Sequence, residues 1–236
     1  GPVFLVAACL HPLAAHILWT PVGARGRVPL AGILERSTMT AFPRLRRLLI
    51  CLAVFPLMLW AAPDLTRLPP HPRLLADAAR WAALPAHAAR DPDLARVNEV
   101  IIAEARALLA LPVLERELEG RRLLHVSRRA FQRLGRLAYA HRMTGERAFL
   151  ARAEAELAAV CAFRDWNPGH FLDVAEMTAA AALAYDWLHA DLSPATRDAV
   201  REAIIEKGLR PGRGREHGWR TADNNWNQVC HGGLVL

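Results

Sequence analysis

The sequence predicts an all-α fold. Three observations carry that expectation. From Pro72 to Gly208 apolar residues recur at spacings of three and four, and the breaks between these runs carry Pro, Gly or a short polar cap. No alternating strand pattern with hairpin signals occurs in the same stretch. The chain has 236 residues, 53% of them hydrophobic, which is enough for one sizeable core, and its composition is not that of a disordered chain.

The first methionine is Met39, so residues 1–38 read as translated upstream sequence and are set aside from the fold. Residues 39–62 have the three parts of a secretory signal peptide: a basic start (Arg44, Arg46, Arg47), an apolar run from Leu48 to Trp60, and small residues at Ala61–Ala62. The apolar run is about a dozen residues, short of the ~20 that a spanning helix needs. Export to the periplasm or beyond is therefore expected, with no membrane association apart from the signal; retention as an uncleaved anchor is the alternative. Residues 63–71 are proline-rich and read as a linker, and residues 72–236 as the folded region.

In that region Pro72 stands where a helix can start without losing a needed N–H. Leu94, Val97, Ile101, Ala105 and Leu108 form the stripe of the next helix, with Asp93 as N-cap and Pro112 as terminator. Phe131, Leu134, Ala138 and His141 mark a helix that Thr144–Gly145 ends. Leu150, Ala153, Leu157, Val160 and Cys161 line its partner in a short-loop antiparallel hairpin. Asp173 with Glu176 three residues on reads as a capping box, opening a helix whose Met177, Ala181, Ala184, Tyr185 and Leu188 face one way. Ser193–Pro194 starts a further helix, closing at Gly208. Paired Ala-rich helices with tight turns fit a solenoid or an α/α toroid, and periodicity does not decide between the two.

The formal charge of +7 raises nucleic acid as a partner, but six arginines against Glu35 lie before residue 63. Only +2 belongs to the remainder, too little and too dispersed for a phosphate-binding face, so no nucleic-acid partner is expected. Lys207 is the only lysine. Cys161 and Cys230 read as free thiols rather than a disulfide. His217 and His231 are far apart and there is no HxxxH or CxxC spacing, so no metal site and no cofactor are expected in this chain.

One stretch is unlike the rest. From Glu216 to Gly233 amides, histidines, tryptophans and an arginine crowd together with almost no aliphatic residue. Amides keep their donors and acceptors at any pH and indoles offer flat faces to sugar rings, a mixture that polyhydroxylated ligands need. A helix N-cap at Asp223 or Asn224 accounts for one or two of these residues but not for all. Asn225 and Asn227 are the candidate catalytic donors, with His231 available as base or acid because its ordinary pKa is about 6.5. Asn224, Trp226, Gln228, Trp219 and Arg220 are substrate-binding candidates, Arg220 because its fork matches a carboxylate. His170 and Trp166 are added from the block Trp166–Thr178. His170 has a bland reading, satisfying loop backbone; Trp166 and Trp219 read as stacking platforms, whereas Trp187, on a helix stripe, reads as core.

Asn224-Asn225-Trp226-Asn227-Gln228-Val229-Cys230-His231-Gly232-Gly233 resembles the signature of the heparinase II/III-like polysaccharide lyases, and the block from Trp166 to Thr178 resembles the stretch that precedes it; the likeness spans roughly residues 70–236. Members usually carry Asn where this chain has His231. The resemblance implies an incomplete α/α toroid followed by β-sandwich domains, of which this chain would be the N-terminal part. It further implies cleavage of a uronic-acid polysaccharide by β-elimination, with this Asn/His cluster neutralising the C5 carboxylate. The proton-transferring tyrosine implied by the family lies past the amide motif, whereas Tyr139 and Tyr185 lie before it, so this stretch alone is expected to be inactive. The expected partner is an acidic polysaccharide or oligosaccharide.

Two other function classes compete. A glycoside hydrolase on an α/α toroid would need two carboxylates, for which Glu216 and Asp223 are present, but it gives the amide cluster no task. A helical-repeat binding module would tolerate substitution throughout Glu216–Gly233.

Overall fold

A computed structural model describes residues 67–213 and 217–236. The upstream segment, the signal peptide and Glu216 lie outside them. The described residues form an all-α fold, with no strand among them and a single isolated bridge, Glu119 with Arg122, across a turn at Gly120.

The first helix, α1, runs Ala78–Ala88 and not from Pro72. The reason is in the preceding residues. The backbone N–H groups of Arg73 and Leu74 donate to the Asp186 carboxylate at 2.8 Å each, and His71 Nδ1 lies 2.5 Å from its other oxygen. Residues 71–74 are thus a docked strap, and Asp77 caps α1 by accepting from the N–H of Arg80.

Helix α2 spans Pro92–Leu108. Its cap is Asp91, which accepts from Asp93 and Leu94, because Pro92 occupies the first turn where a missing N–H costs nothing. Only Ala105 of the expected stripe is fully buried; Val97 is 52% exposed. Helices α3 (Leu124–Thr144) and α4 (Arg147–Ala162) form the expected hairpin, turned by Gly145 at φ 72°. On α3, Leu134, Ala138 and His141 face inward as read, whereas Phe131 is 39% exposed. The segment between α2 and α3 is held down by Glu156 of α4. That carboxylate, fully buried, accepts from Arg133 (2.8 Å), Arg152 (2.6 Å) and the N–H of Leu114 (3.0 Å), while both arginines also donate to the carbonyl of Pro112.

Helix α5, Phe171–Leu188, is apolar on nearly every side and accordingly buried on nearly every side. It packs most extensively on α3 and on the last helix. The capping-box reading at its start is overturned. Asp173 lies inside the first turn, its carboxylate engaged by residues from elsewhere, and Glu176 pairs with Arg128 at 3.1 Å.

Helix α6 (Pro194–Ala203) starts where Ser193–Pro194 placed it, Ser193 accepting from the N–H of Thr196. It does not close at Gly208. A π-helical turn, Ile204–Leu209, carries it into α7, Arg210–Arg213. Within that turn Gly208 sits so close to α5 that a Cβ would lie 2.5 Å from Thr178 Oγ1, and Lys207 donates to the carbonyls of Cys161 and Phe163, which α4 leaves free at its end. A 3₁₀ turn, Gly218–Arg220, then leads to α8, Asn225–Val235. Helix α8 approaches α5 backbone to backbone: a Cβ on Gly233 would stand 2.3 Å from the carbonyl oxygen of Ala175.

Candidate functional site

The stretch singled out in the sequence folds as a 3₁₀ turn followed by α8, seated on the first turn of α5. Asn224 is the N-cap of α8: its side-chain oxygen accepts from the N–H of Trp226 at 3.0 Å. Asn227 donates through its Nδ2 to two backbone carbonyls of the 3₁₀ turn, Arg220 at 2.6 Å and Trp219 at 3.3 Å. Both of its N–H donors are thereby engaged, so Asn227 ties α8 to the turn and has no donor left for a ligand.

The tryptophans divide differently from expectation. Trp166 is fully buried, its indole N–H donating to Val160 O at 3.0 Å; it is core, with no face open to a sugar. Trp219 is buried too. It stacks on Phe171 (centroids 4.8 Å apart) and His217 (5.5 Å), and its indole N–H finds no acceptor among the described residues. Trp226 is half-buried, with His170 against it at 4.9 Å and 77°. Arg220 is exposed, lies over the Trp219 ring at 5.7 Å and donates to the carbonyl of Gly212, which takes part of its fork from any carboxylate.

His170 is buried rather than cleft-lining. Its Nδ1 is 2.6 Å from Asp173 Oδ1, and the other oxygen of that carboxylate accepts from the N–H of Leu123 and from Asn167 Nδ2, each at 2.6 Å. This buried cluster was missed in the sequence, where Asp173 reads as a cap. The signal for it was the spacing: His and Asp three apart at a helix start face the same way.

Three candidates remain outward. Asn225, Gln228 and His231 are exposed at successive three-residue steps along α8, and none of their side chains forms a hydrogen bond to a described residue; His231 rests edge-on against Trp219 at 5.0 Å. Trp226, Cys230 and Gly233 form the opposite, inward face. Burial pushes the Cys230 thiol up to about 11. Beyond the strip an apolar groove of about 360 Å³ runs between α3, α5 and α8, with Gln228, Val229, Phe131 and Ala179 in its walls. No group of three or more His, Cys, Asp or Glu side chains suited to a metal occurs among the described residues.

No protein-family model matches the chain, and no curated protein matches it. The chemistry of the site therefore rests on the residues themselves.

Proposed function

We propose that the chain carries the carboxylate-neutralising part of a polysaccharide lyase that cleaves a uronic-acid polysaccharide by β-elimination, and that its helical hairpins are the first part of an α/α toroid. The observation that supports this reading is the outward strip of Asn225, Gln228 and His231, held on a helix whose neighbouring amides are engaged in fixing it. Neutral N–H donors fixed in place stabilise charge that develops on a C5 carboxylate as its α-proton leaves, and they do so without losing a proton. Asn225 is the donor. Its amide forms no hydrogen bond to a described residue, and it stands in the first turn of α8, where the helix dipole favours an anion.

His231 lies six residues on, about 9 Å along the helix axis. That is too far for both side chains to act on one sugar carbon, so in this reading Gln228 and His231 contact the adjoining units of the chain. Tyr139 packs against Trp81 at 5.7 Å, and Tyr185 against His71 and His189 at 5.7 and 5.1 Å. Neither is given a role in proton transfer here. The leader at 39–62 assigns the work to the periplasm or outside; Asp in place of Leu49 and Leu52 is expected to stop export.

The test is incubation of the protein with alginate, heparan sulfate and related uronates, following the near-ultraviolet absorbance of an unsaturated product. Asn225→Ala is expected to lower kcat by about 10²–10³-fold, the equivalent of about 2.7–4 kcal/mol, with KM little changed. Saccharide release without that absorbance would mean hydrolysis and overturn the reading. A change in KM alone would reduce Asn225 to a sugar-positioning group.

A further inference from the structure

Two consecutive residues at the start of α5 carry the aromatic supports of the site. Phe171 stacks on Trp219, and His170 meets Trp226. The two contacts differ in how firmly they are held. Phe171 is fixed by packing alone, whereas the His170 ring is oriented by Asp173, whose carboxylate is in turn supplied by Leu123 N at the entry to α3 and by Asn167 Nδ2 from the loop before α5. A carboxylate only accepts, so His170 Nδ1 carries the hydrogen of that bond and the ring has one orientation.

Trp226 is the neighbour of Asn225 in the chain. Its backbone N–H is held by the Asn224 cap and its indole by His170, while Asn227 on the other side is bound to the 3₁₀ turn. The backbone of Asn225 is thus held on both flanks while its side chain forms no hydrogen bond to a described residue. That is the arrangement a preorganised donor requires, supported by side chains that never touch the ligand. We propose that His170, oriented by Asp173, is a positioning residue that acts through Trp226 to fix the first turn of α8 and hence the Asn225 amide. The placement of α8 stands on geometry alone; its consequence for turnover rests on the reading of Asn225 given above.

Two substitutions separate the ring from the hydrogen bond. In His170→Asn the amide Nδ2 can replace Nδ1 as donor to Asp173, but the ring that meets Trp226 is gone. In His170→Phe the ring contact stays and Asp173 loses a donor. Hydrogen exchange of the Trp226 and Asn227 backbone amides is measured in the full chain, with Tm recorded beside it. His170→Asn is expected to leave Tm close to that of the parent and to speed exchange in the first turn of α8 by about tenfold or more, since a local opening equilibrium governs it. His170→Phe is expected to lower Tm and to preserve the exchange pattern below its transition.

Where His170→Asn does not fold, Trp226→Phe, which keeps an aromatic face for His170, and Trp226→Ala, which removes it, give the same comparison. Unchanged exchange in His170→Asn, or equal acceleration in Trp226→Phe and Trp226→Ala, overturns the proposal. If uronate cleavage is found, kcat of His170→Asn should fall about tenfold or more at constant KM, as for a donor displaced by a fraction of an ångström. A fall in kcat with unaltered exchange would refute the route through Trp226. Absence of any cleavage bears on the function and leaves the exchange result standing.

Discussion

Gly232 and Gly233 are adjacent in α8 and have opposite surroundings. Nothing lies within 4 Å of a Cβ built on Gly232, whereas one on Gly233 meets the carbonyl oxygen, carbonyl carbon and Cα of Ala175 at 2.3, 2.6 and 2.9 Å. These are backbone atoms with no rotamer to change. Gly233→Ala is therefore expected to destabilise the protein by about 1–3 kcal/mol, and Gly232→Ala to stabilise it by up to about 1 kcal/mol through helix propensity, both read from chemical denaturation. Equal effects would mean that α5 and α8 do not approach as described. The thiols give a second residue-level expectation. Cys161 and Cys230 are free, and burial raises each to about 11 from an ordinary 9.0, with Lys207 opposing the rise at Cys161. A raised folded-state pKa means that the folded chain holds these protons more tightly than the unfolded one. Their contribution to stability is complete below pH 9.0 and is lost as pH climbs to about 11. Alkylation of the native protein followed by mass spectrometry should show both thiols unreactive at pH 8 and reactive near pH 11; labelling of Cys230 at pH 8 would contradict its burial.

At the level of elements, the sequence revealed those whose ends depend on local chemistry. Gly145 stops α3 because the chain needs a left-handed residue there, and Ser193–Pro194 opens α6 because one side chain caps and the next ring has φ already set. What it hid were residues whose partners are remote. Asp173 has the spacing of a cap, yet its oxygens serve Asn167 and His170 nearby and Leu123 fifty positions away, and only the His170 spacing left a local trace. Asn225 and Asn227 are equivalent as residues, and only the direction each takes from α8 separates a free amide from an engaged one. Trp166 and Trp219 read as platforms for a sugar but are buried, since an indole suits a core as well as a sugar. The segment between α2 and α3 is another remote case: its place depends on Glu156. Glu156→Ala would leave Arg133 and Arg152, each largely buried, without their carboxylate, and is expected to cost about 3–5 kcal/mol. Proteolysis within 109–123 should precede unfolding of the hairpin. Full resistance there would show that the carbonyls of Leu111 and Pro112 hold the arginines without Glu156.

On the scale of the whole molecule, Asp186 joins parts of the chain more than a hundred positions apart, accepting from Arg73 and Leu74 with His71 beside it, while Trp187 donates to Leu74 O at 2.9 Å. His71 Nε2 also lies 2.9 Å from Arg73 Nη2, which ties the strap to itself as well as to Asp186. Asp186→Ala removes the acceptor for two backbone N–H groups and is expected to cost about 1–3 kcal/mol. Circular dichroism should stay dominated by helix while hydrogen exchange at Arg73 and Leu74 accelerates. Loss of helix throughout would show that the strap is needed to fold the bundle rather than only to close it.

The contact of Gly233 with Ala175 also has a mechanical consequence. Two backbones that touch with no side chain between them cannot slide without collision, so α8 can move against α5 only by turning about that point, as a lever about its fulcrum. Asn225 stands eight residues away, an arm of about 12 Å. A turn of only about 5° therefore carries its amide through about 1 Å, a displacement of the size that costs an enzyme about 10²-fold in rate. The long arm magnifies any looseness at the far end, and the supports given by His170 and Phe171 lie where that magnification is greatest.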